Sequence, residues 1–203
     1  MNSFIWSPRG ILRTETERFI IRSIQVQEID DVYISWWNDT EIQLGLNMPA
    51  RDWGKAEAVK HVSRFDNLHA FHLGIYDKSK PNEKIGFFTI FNRPGPGTAT
   101  TNVVIGDKSF WGENVVLEVR AHMLKFIFNQ LGALKIKGEI SGRNLPSIYN
   151  YQAQGFKNEG VLRAELPHPT EDRRVDKYLF GLLKDEWLLQ LESNDSDTSA
   201  TND

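Results

Sequence analysis

The stretch VVIGDKSFWGENVVLEV, residues 103–119, decides the fold. Its β-branched start reads as the end of a strand, Gly106-Asp107 interrupts it, and FWGEN forms a loop. Beyond the loop Val116, Val119, Met123, Ile127 and Leu131 fall on one face of a helix that begins near Asn114. A strand, a loop and a helix start in this order aim free backbone N–H groups and the positive helix end at one point, a place suited to a pyrophosphate. Gly112 would let the backbone approach such a ligand closely, although the pattern taken alone favours a plain turn with Trp111 packed on the core.

Downstream, Gly132 closes the helix as its C′ residue, residues 134–140 read as a buried strand, and a short helix over 146–154 ends at Gly155. The segment NLPSIYNYQAQGF, 144–156, gathers Asn144, Ser147, Tyr149 and Tyr151 at one end of the sheet, with the two tyrosines pointing in different directions. Taken alone, it also fits a serine helix cap with packing tyrosines. Strands over 160–166 and 174–182 follow, divided by HPTED, and then a helix over 184–191.

Upstream, a strand over 18–24 leads to a helix over 28–37 that stops at Asn38-Asp39. A helix over 52–65 with Asp52 as N-cap precedes strands over 70–76, 85–91 and 99–105, the last two joined by RPGPG. An antiparallel front half followed by a strand–helix–strand crossover predicts a mixed, layered α/β (α+β) domain.

With 203 residues, 40% hydrophobic and 25% charged, one soluble domain is expected. We place it at 15–191, after an N-terminal extension at 1–14 and before an acidic tail at 192–203 too polar to order. A net charge of -3 gives no basic field, so nucleic acid is not expected as a partner. The absence of cysteine rules out thiol chemistry and suits a reducing compartment. Without a basic-then-apolar opening or a run of about 20 apolar residues, no membrane association is expected and a cytoplasmic location is. His61, His69, His72, His122 and His168 are scattered, so no metal is expected. Glu118 and His122 share a helical face at i, i+4 spacing, and a GxSxG elbow for a hydrolase is missing.

Together these pieces resemble the GNAT superfamily of N-acetyltransferases, in particular the branch of ribosomal-protein N-terminal, polyamine and amino-sugar acetyltransferases. ETERFIIRSI looks like that branch's first strand, WWNDTEIQ like its W-x-N-D-x-E/D-V stretch, and VIGDKSFWG like its fourth strand and cofactor loop. Glu118 seven positions after Trp111, the N-x-x-S-I opening at Asn144, the pair Gly155-Phe156, and EGVLR with DKYLFGLLKDEW agree in order.

The resemblance implies a mostly antiparallel sheet of six to seven strands with helices on both faces, and acetyl-CoA in a V-shaped opening between the fourth strand (99–105) and the fifth (134–140). Pantetheine would run along Val103, Val104 and Ile105. The pyrophosphate would sit on a loop whose family form is Q/R-x-x-G-x-G/A, here residues 109–114, with Phe110, Trp111, Gly112, Glu113, Asn114 and Val115 as its contacts. Only Gly112 is kept, Ser109 and Asn114 replacing the other two conserved types. Asn144 and Ser147 correspond to further cofactor contacts. Tyr151, seven residues after Asn144, corresponds to both a cofactor contact and the catalytic acid. Where many relatives carry a strand carboxylate this chain has Thr100-Thr101-Asn102, so the base stays unassigned. The implied activity is acetyl transfer from acetyl-CoA, a substrate rather than a resident cofactor, to a primary amine of an amino sugar, polyamine, antibiotic or protein N-terminus. The alternative is a GNAT-fold module that binds acyl-CoA or a protein partner without turnover. Trp36, Trp37, Trp53 and the Pro167-His168-Pro169 loop are candidates for the acceptor side, and a homodimer through an exposed strand edge is left open.

Overall fold

The structure is a computed structural model and describes residues 3–48 and 51–199. Eight strands form one sheet in the order β1-β2-β3-β4-β5-β6-β8-β7. They are β1 (Arg13–Glu15), β2 (Phe19–Ser23), β3 (Ala70–Asp77), β4 (Lys84–Arg93), β5 (Thr98–Ile105), β6 (Lys135–Ser141), β7 (Lys157–Pro167) and β8 (Arg174–Leu183). The helices are α1 (Asp31–Asn38), α2 (Thr40–Gly45), α3 (Lys55–Val62), α4 (Val115–Asn129), α5 (Leu145–Ala153) and α6 (Lys184–Ser199).

Neighbouring strands are antiparallel except β5 and β6, the pair joined by the crossover helix α4. These two meet only at Thr98 with Lys135, Ala99 with Ile136 and Thr100 with Lys137. Beyond that point β5 runs on to Ile105 and β6 to Ser141 without pairing with each other, and the sheet opens into a gap.

A sheet with helices on both faces has two apolar layers to bury. On one face Val119, Met123, Phe126, Ile127, Tyr151 and Trp187 from α4, α5 and α6 cover Phe71, Phe88, Ile136 and Phe180. On the other, Tyr33, Trp36, Trp37, Ala58 and Val62 from α1 and α3 cover Phe87 and Val104. The alternation of β5 sends Ala99 and Val103 to the first layer and Val104 to the second.

Several boundaries differ from the sequence expectation. The count is eight strands rather than six or seven, because the segment read as an extension adds β1 and packs Phe4, Trp6 and fully buried Leu12 on the core. The second long helix was expected over 52–65 from an Asp52 cap, but α3 starts at Lys55. The Trp53 amide is held by Asn38 Oδ1 at 2.6 Å and its ring stacks on Trp37 at 4.5 Å, so the chain stays extended until Gly54, whose N–H is met by Glu57. The first helix begins at Asp31, because Asp30 caps Tyr33 N at 2.8 Å, rather than at residue 28. The tract read as an unordered tail begins inside α6, whose backbone stays helical to Ser199. Once a first turn exists, each added residue needs only one more hydrogen bond. Residues 200–203 of that tract lie outside the described residues. Among the described residues no helix is long and apolar enough to cross a membrane.

Candidate active site

Tyr151 is 3% exposed and sits in the β5–β6 gap. Had the pairing continued by one step, Thr101 would face Gly138. Instead the Tyr151 hydroxyl donates to the Thr101 carbonyl at 3.2 Å, and its ring occupies the space that a Cβ on Gly138 would need. Phe156 meets the ring edge-on at 4.8 Å and Phe180 stacks on it at 5.5 Å, so the phenol is held in one orientation. Tyr149 lies elsewhere, 64% exposed on the outer side of α5.

On β5 the carbonyls of Thr101 and Ile105 both turn away from β4. The first receives the phenol, and the second receives the Trp111 indole N–H at 2.9 Å. Backbone groups of an antiparallel strand alternate sides, so the N–H and C=O of Val103 also face the gap, while those of Val104 face β4. The side chain of Val104 is buried in the α1–α3 layer. Of the three residues expected along pantetheine, Val103 and Ile105 therefore offer backbone groups to an extended ligand and Val104 does not.

The loop that follows is fastened at both ends. Asp107 Oδ1 accepts from Ser109 N at 3.0 Å, and the Lys108 ammonium meets Asp39 at 2.8 Å and Glu41 at 2.9 Å on the α2 side. Those hydrogen bonds hold Lys108 above its ordinary pKa and Asp39 below its own. On the other side the Arg18 guanidinium bridges the Glu113 carbonyl at 2.8 Å and the Glu118 carboxylate at 2.6 Å. Burial would raise the Glu118 pKa, but hydrogen bonds from Thr16 and from the backbone and side chain of Arg18 hold it below the usual carboxylate value. Glu118 is thus spent on Arg18, and His122 hydrogen-bonds Thr14 Oγ1 at 2.7 Å, so among the described residues the i, i+4 pair considered from sequence interacts only at a distance, through the charge of Glu118.

Two residues of the loop have left-handed backbone, Gly112 at φ 83° and Asn114 at φ 57°. Asparagine enters that region more readily than most residues, which explains how Asn114 can stand where a second small residue is expected. A Cβ on Gly112 would meet nothing within 4 Å, so the loop is open on that side. Among the described residues nothing accepts from the N–H groups of Val115, Val116 and Leu117, the first turn of α4. Phe110 lies against Phe19 and Val115 is buried, whereas Trp111, Glu113 and Asn114 are exposed. The corner can therefore receive an anion by main-chain donors alone.

Asn144 is the N-cap of α5: its Oδ1 accepts from Ser147 N at 3.0 Å while its Nδ2 donates to the Gly45 carbonyl at 2.9 Å. The cap read at Ser147 belongs to Asn144, which ties α5 to α2. Ser147 itself is half-buried in the first turn.

On the opposite face of the gap lies a cleft of about 380 Å³ lined by Leu46, Asn47, Thr100, Asn102, Glu139, Ser141, Leu166 and Lys177. A larger groove of about 900 Å³ between α4, α5 and α6 touches neither β5 nor β6. The smaller cleft opens where the two strands part, which makes it the candidate acceptor side of the gap. Glu139 was not singled out from the sequence. It follows Gly138 on β6, is exposed, and meets the Lys177 ammonium at 3.1 Å, with Glu165 4.0 Å from the same ammonium. Its signal was the alternation of KIKGEIS, which puts Glu139 on the face opposite Ile136 and Ile140. Trp36, Trp37 and Trp53 do not line this cleft. Trp36 and Trp37 are on the buried face of α1, and Trp53 stacks on Trp37. His168 is buried with its Nδ1 accepting from Glu171 N at 3.1 Å, so it shapes its own loop. Among the described residues no group of three or more His, Cys, Asp or Glu could hold a metal ion.

Comparison with known proteins shows the family and the fold. Residues 18–157 match the family described as Acetyltransferase (GNAT) domain. The uncharacterized N-acetyltransferase p20 of Bacillus licheniformis is 25% identical over 177 residues, 85% of this chain and 96% of that protein. The fold is similar to spermidine N-acetyltransferase from Vibrio cholerae in complex with CoA and spermine, at TM-score 0.72 and 16% identity over 84% of this chain and 98% of the other. It is also similar to ribosomal-protein-S5-alanine acetyltransferase from Vibrio fischeri, at TM-score 0.72 and 18% identity over 86% and 98%. With most of its length matched to the family and its one parallel strand pair splayed around a buried tyrosine, the chain belongs to the GNAT acetyltransferases.

Proposed function

We propose that the protein transfers an acetyl group from acetyl-CoA to a primary amine of a small molecule or a protein N-terminus. The observation that carries this reading is the placement of Tyr151 and Glu139 on opposite faces of one gap, at the strand step where β5 and β6 part. Pantetheine would pair with Val103 and Ile105, and its diphosphate would take the amides of the Gly112 loop and the first turn of α4.

The acceptor enters from the Glu139 side, where a carboxylate and the polar groups of Thr100, Asn102 and Ser141 suit an ammonium ion. Glu139 exchanges Lys177 for the substrate and removes the proton that frees the nitrogen lone pair. The nitrogen bonds to the thioester carbon, and the oxyanion that forms is met by an N–H on β5. Collapse breaks the C–S bond, the sulfur keeps the electron pair, and the Tyr151 phenol gives it a proton. The proton taken from the ammonium passes from Glu139 to solvent, and the second proton, lost by the nitrogen as the adduct collapses, returns to the phenoxide through Glu139 and solvent, so that a neutral amide, a free thiol and one released proton result. Glu139 fills the role that Thr100-Thr101-Asn102 could not.

Calorimetry with acetyl-CoA followed by a thiol-release assay over amino sugars, polyamines, aminoglycosides and N-terminal peptides tests the proposal. Binding together with release for one acceptor class is expected; binding with no release for any amine would instead favour a non-catalytic acyl-CoA module.

A further inference from the structure

Arg120 is a buried cation with no carboxylate partner. It lies on α4 at 2% exposure, in the apolar layer between the helices and the sheet. Among the described residues its one hydrogen bond runs from Nη1 to Gln154 Oε1 at 3.1 Å, and its Nε is buried without a partner. Among the described residues it has no ion pair, and burial pushes its pKa down while the phenol of Tyr151 acts the other way. A buried, unpaired charge is costly, and a similar-sized apolar residue is often as stable or more so in such a place. Packing alone therefore does not account for an arginine here.

What the guanidinium does touch is the ring of Tyr151, with its carbon 4.1 Å from the ring centroid. That contact is a close cation–π geometry between two buried groups, and such contacts are strongest when desolvated. The ring's other neighbours, Phe156 and Phe180, are neutral, so Arg120 is the charged group that the phenol feels most directly.

We propose that Arg120 is a positioning residue for Tyr151: it holds the ring beside Thr101 and sets a positive charge on its face that favours transfer of the phenolic proton to the departing thiolate. The inference rests on Tyr151 acting as the acid. When the C–S bond breaks and the sulfur takes the phenol's proton, the negative charge left on the Tyr151 oxygen and ring lies against the guanidinium until a proton returns. Gln154 keeps Arg120 in place, its Nε2 donating to the Leu117 carbonyl at 3.0 Å.

The test uses Arg120→Met, Arg120→Lys, Tyr151→Phe and the double variant Arg120→Met/Tyr151→Phe in the full-length protein, with kcat, acetyl-CoA affinity and melting temperature measured for each. Arg120→Met is expected to lower kcat about thirtyfold, with cofactor affinity within about twofold and no loss of melting temperature. Arg120→Lys should recover part of kcat, and in the Tyr151→Phe background Arg120→Met should change kcat less than about twofold. Unchanged kcat in Arg120→Met, or an equal loss with and without Tyr151, overturns the inference while leaving the acid reading intact. A melting temperature that falls in step with kcat overturns it as well, since that is the mark of a merely structural tie. If Arg120→Met does not fold, Arg120→Lys alone and in the Tyr151→Phe background gives the same cycle. Wild-type turnover in Tyr151→Phe removes the acid reading itself, and the inference with it.

Discussion

The Tyr151 hydroxyl is bonded to the Thr101 carbonyl at the strand step where β5 would next have paired with Gly138 of β6. A side chain from α5 thus replaces a main-chain rung, and the ring fits because Gly138 has no Cβ. The wedge that opens the sheet is therefore also the proposed acid. Tyr151→Phe keeps the wedge and loses the proton: kcat should fall about 10²–10⁴-fold with acetyl-CoA affinity nearly unchanged, read by steady-state kinetics and calorimetry. An equal loss in both would take Tyr151 out of that role.

Gly138→Ala tests the wedge from the other strand. Its new methyl would fall within 2.4 Å of the Tyr151 ring, so the phenol must move or the strand must shift. A loss of about 1–3 kcal/mol in denaturant unfolding is expected, together with lowered turnover.

Glu139→Gln removes the proposed base and leaves the size of the side chain. Turnover should drop about 10²-fold or more at neutral pH and recover as the assay pH approaches the pKa of the free amine, which then needs no base. A flat pH dependence equal to that of the wild type would assign proton removal to another group.

The left-handed loop residues separate backbone strain from ligand binding. Asn114→Gly should be neutral or slightly stabilising, whereas Asn114→Ala should cost about 1 kcal/mol, because alanine lacks asparagine's tolerance of φ 57°. Gly112→Ala adds a methyl on the open side of the loop, where the proposed diphosphate would sit, and should weaken acetyl-CoA binding by more than its strain alone lowers the melting temperature.

His72 is 1% exposed, hydrogen-bonded to the Tyr33 hydroxyl at 2.8 Å, and burial pushes its pKa down to about 3. The unfolded chain takes up this proton below about pH 6.5, while the folded one resists until about pH 3. Stability is therefore fully present above that upper value and is lost as the pH falls, at up to about 1.4 kcal/mol per pH unit from this group. Unfolding free energies between pH 7 and pH 4 should show a shallower slope in His72→Gln than in the wild type.

Much of the fold was legible because its signals are local. The face of Val119, Met123 and Ile127 and the break at Gly106-Asp107 place α4 and the end of β5 to within a residue or two. Boundaries set by distant partners were not legible: the start of α3 depends on Asn38 holding Trp53, and β1 depends on β2 pairing with Arg13–Glu15. The site was half readable. Tyr151 and the Gly112 loop carry motif spacing, but Glu139 shares no motif with them and becomes visible only when β6 lies beside β5. Arg120 looks in sequence like an ordinary helix-surface residue, and only its burial against Tyr151 distinguishes it.

A crystal structure of the protein with coenzyme A would decide whether the β5–β6 gap is where the thioester is held. Pantetheine is expected along Val103 and Ile105, the diphosphate on the amides after Gly112, and the thiol sulfur within hydrogen-bond reach of the Tyr151 hydroxyl. Coenzyme A seated in the groove between α4, α5 and α6, or a thiol remote from Tyr151 with the β5–β6 gap unchanged, would contradict this placement.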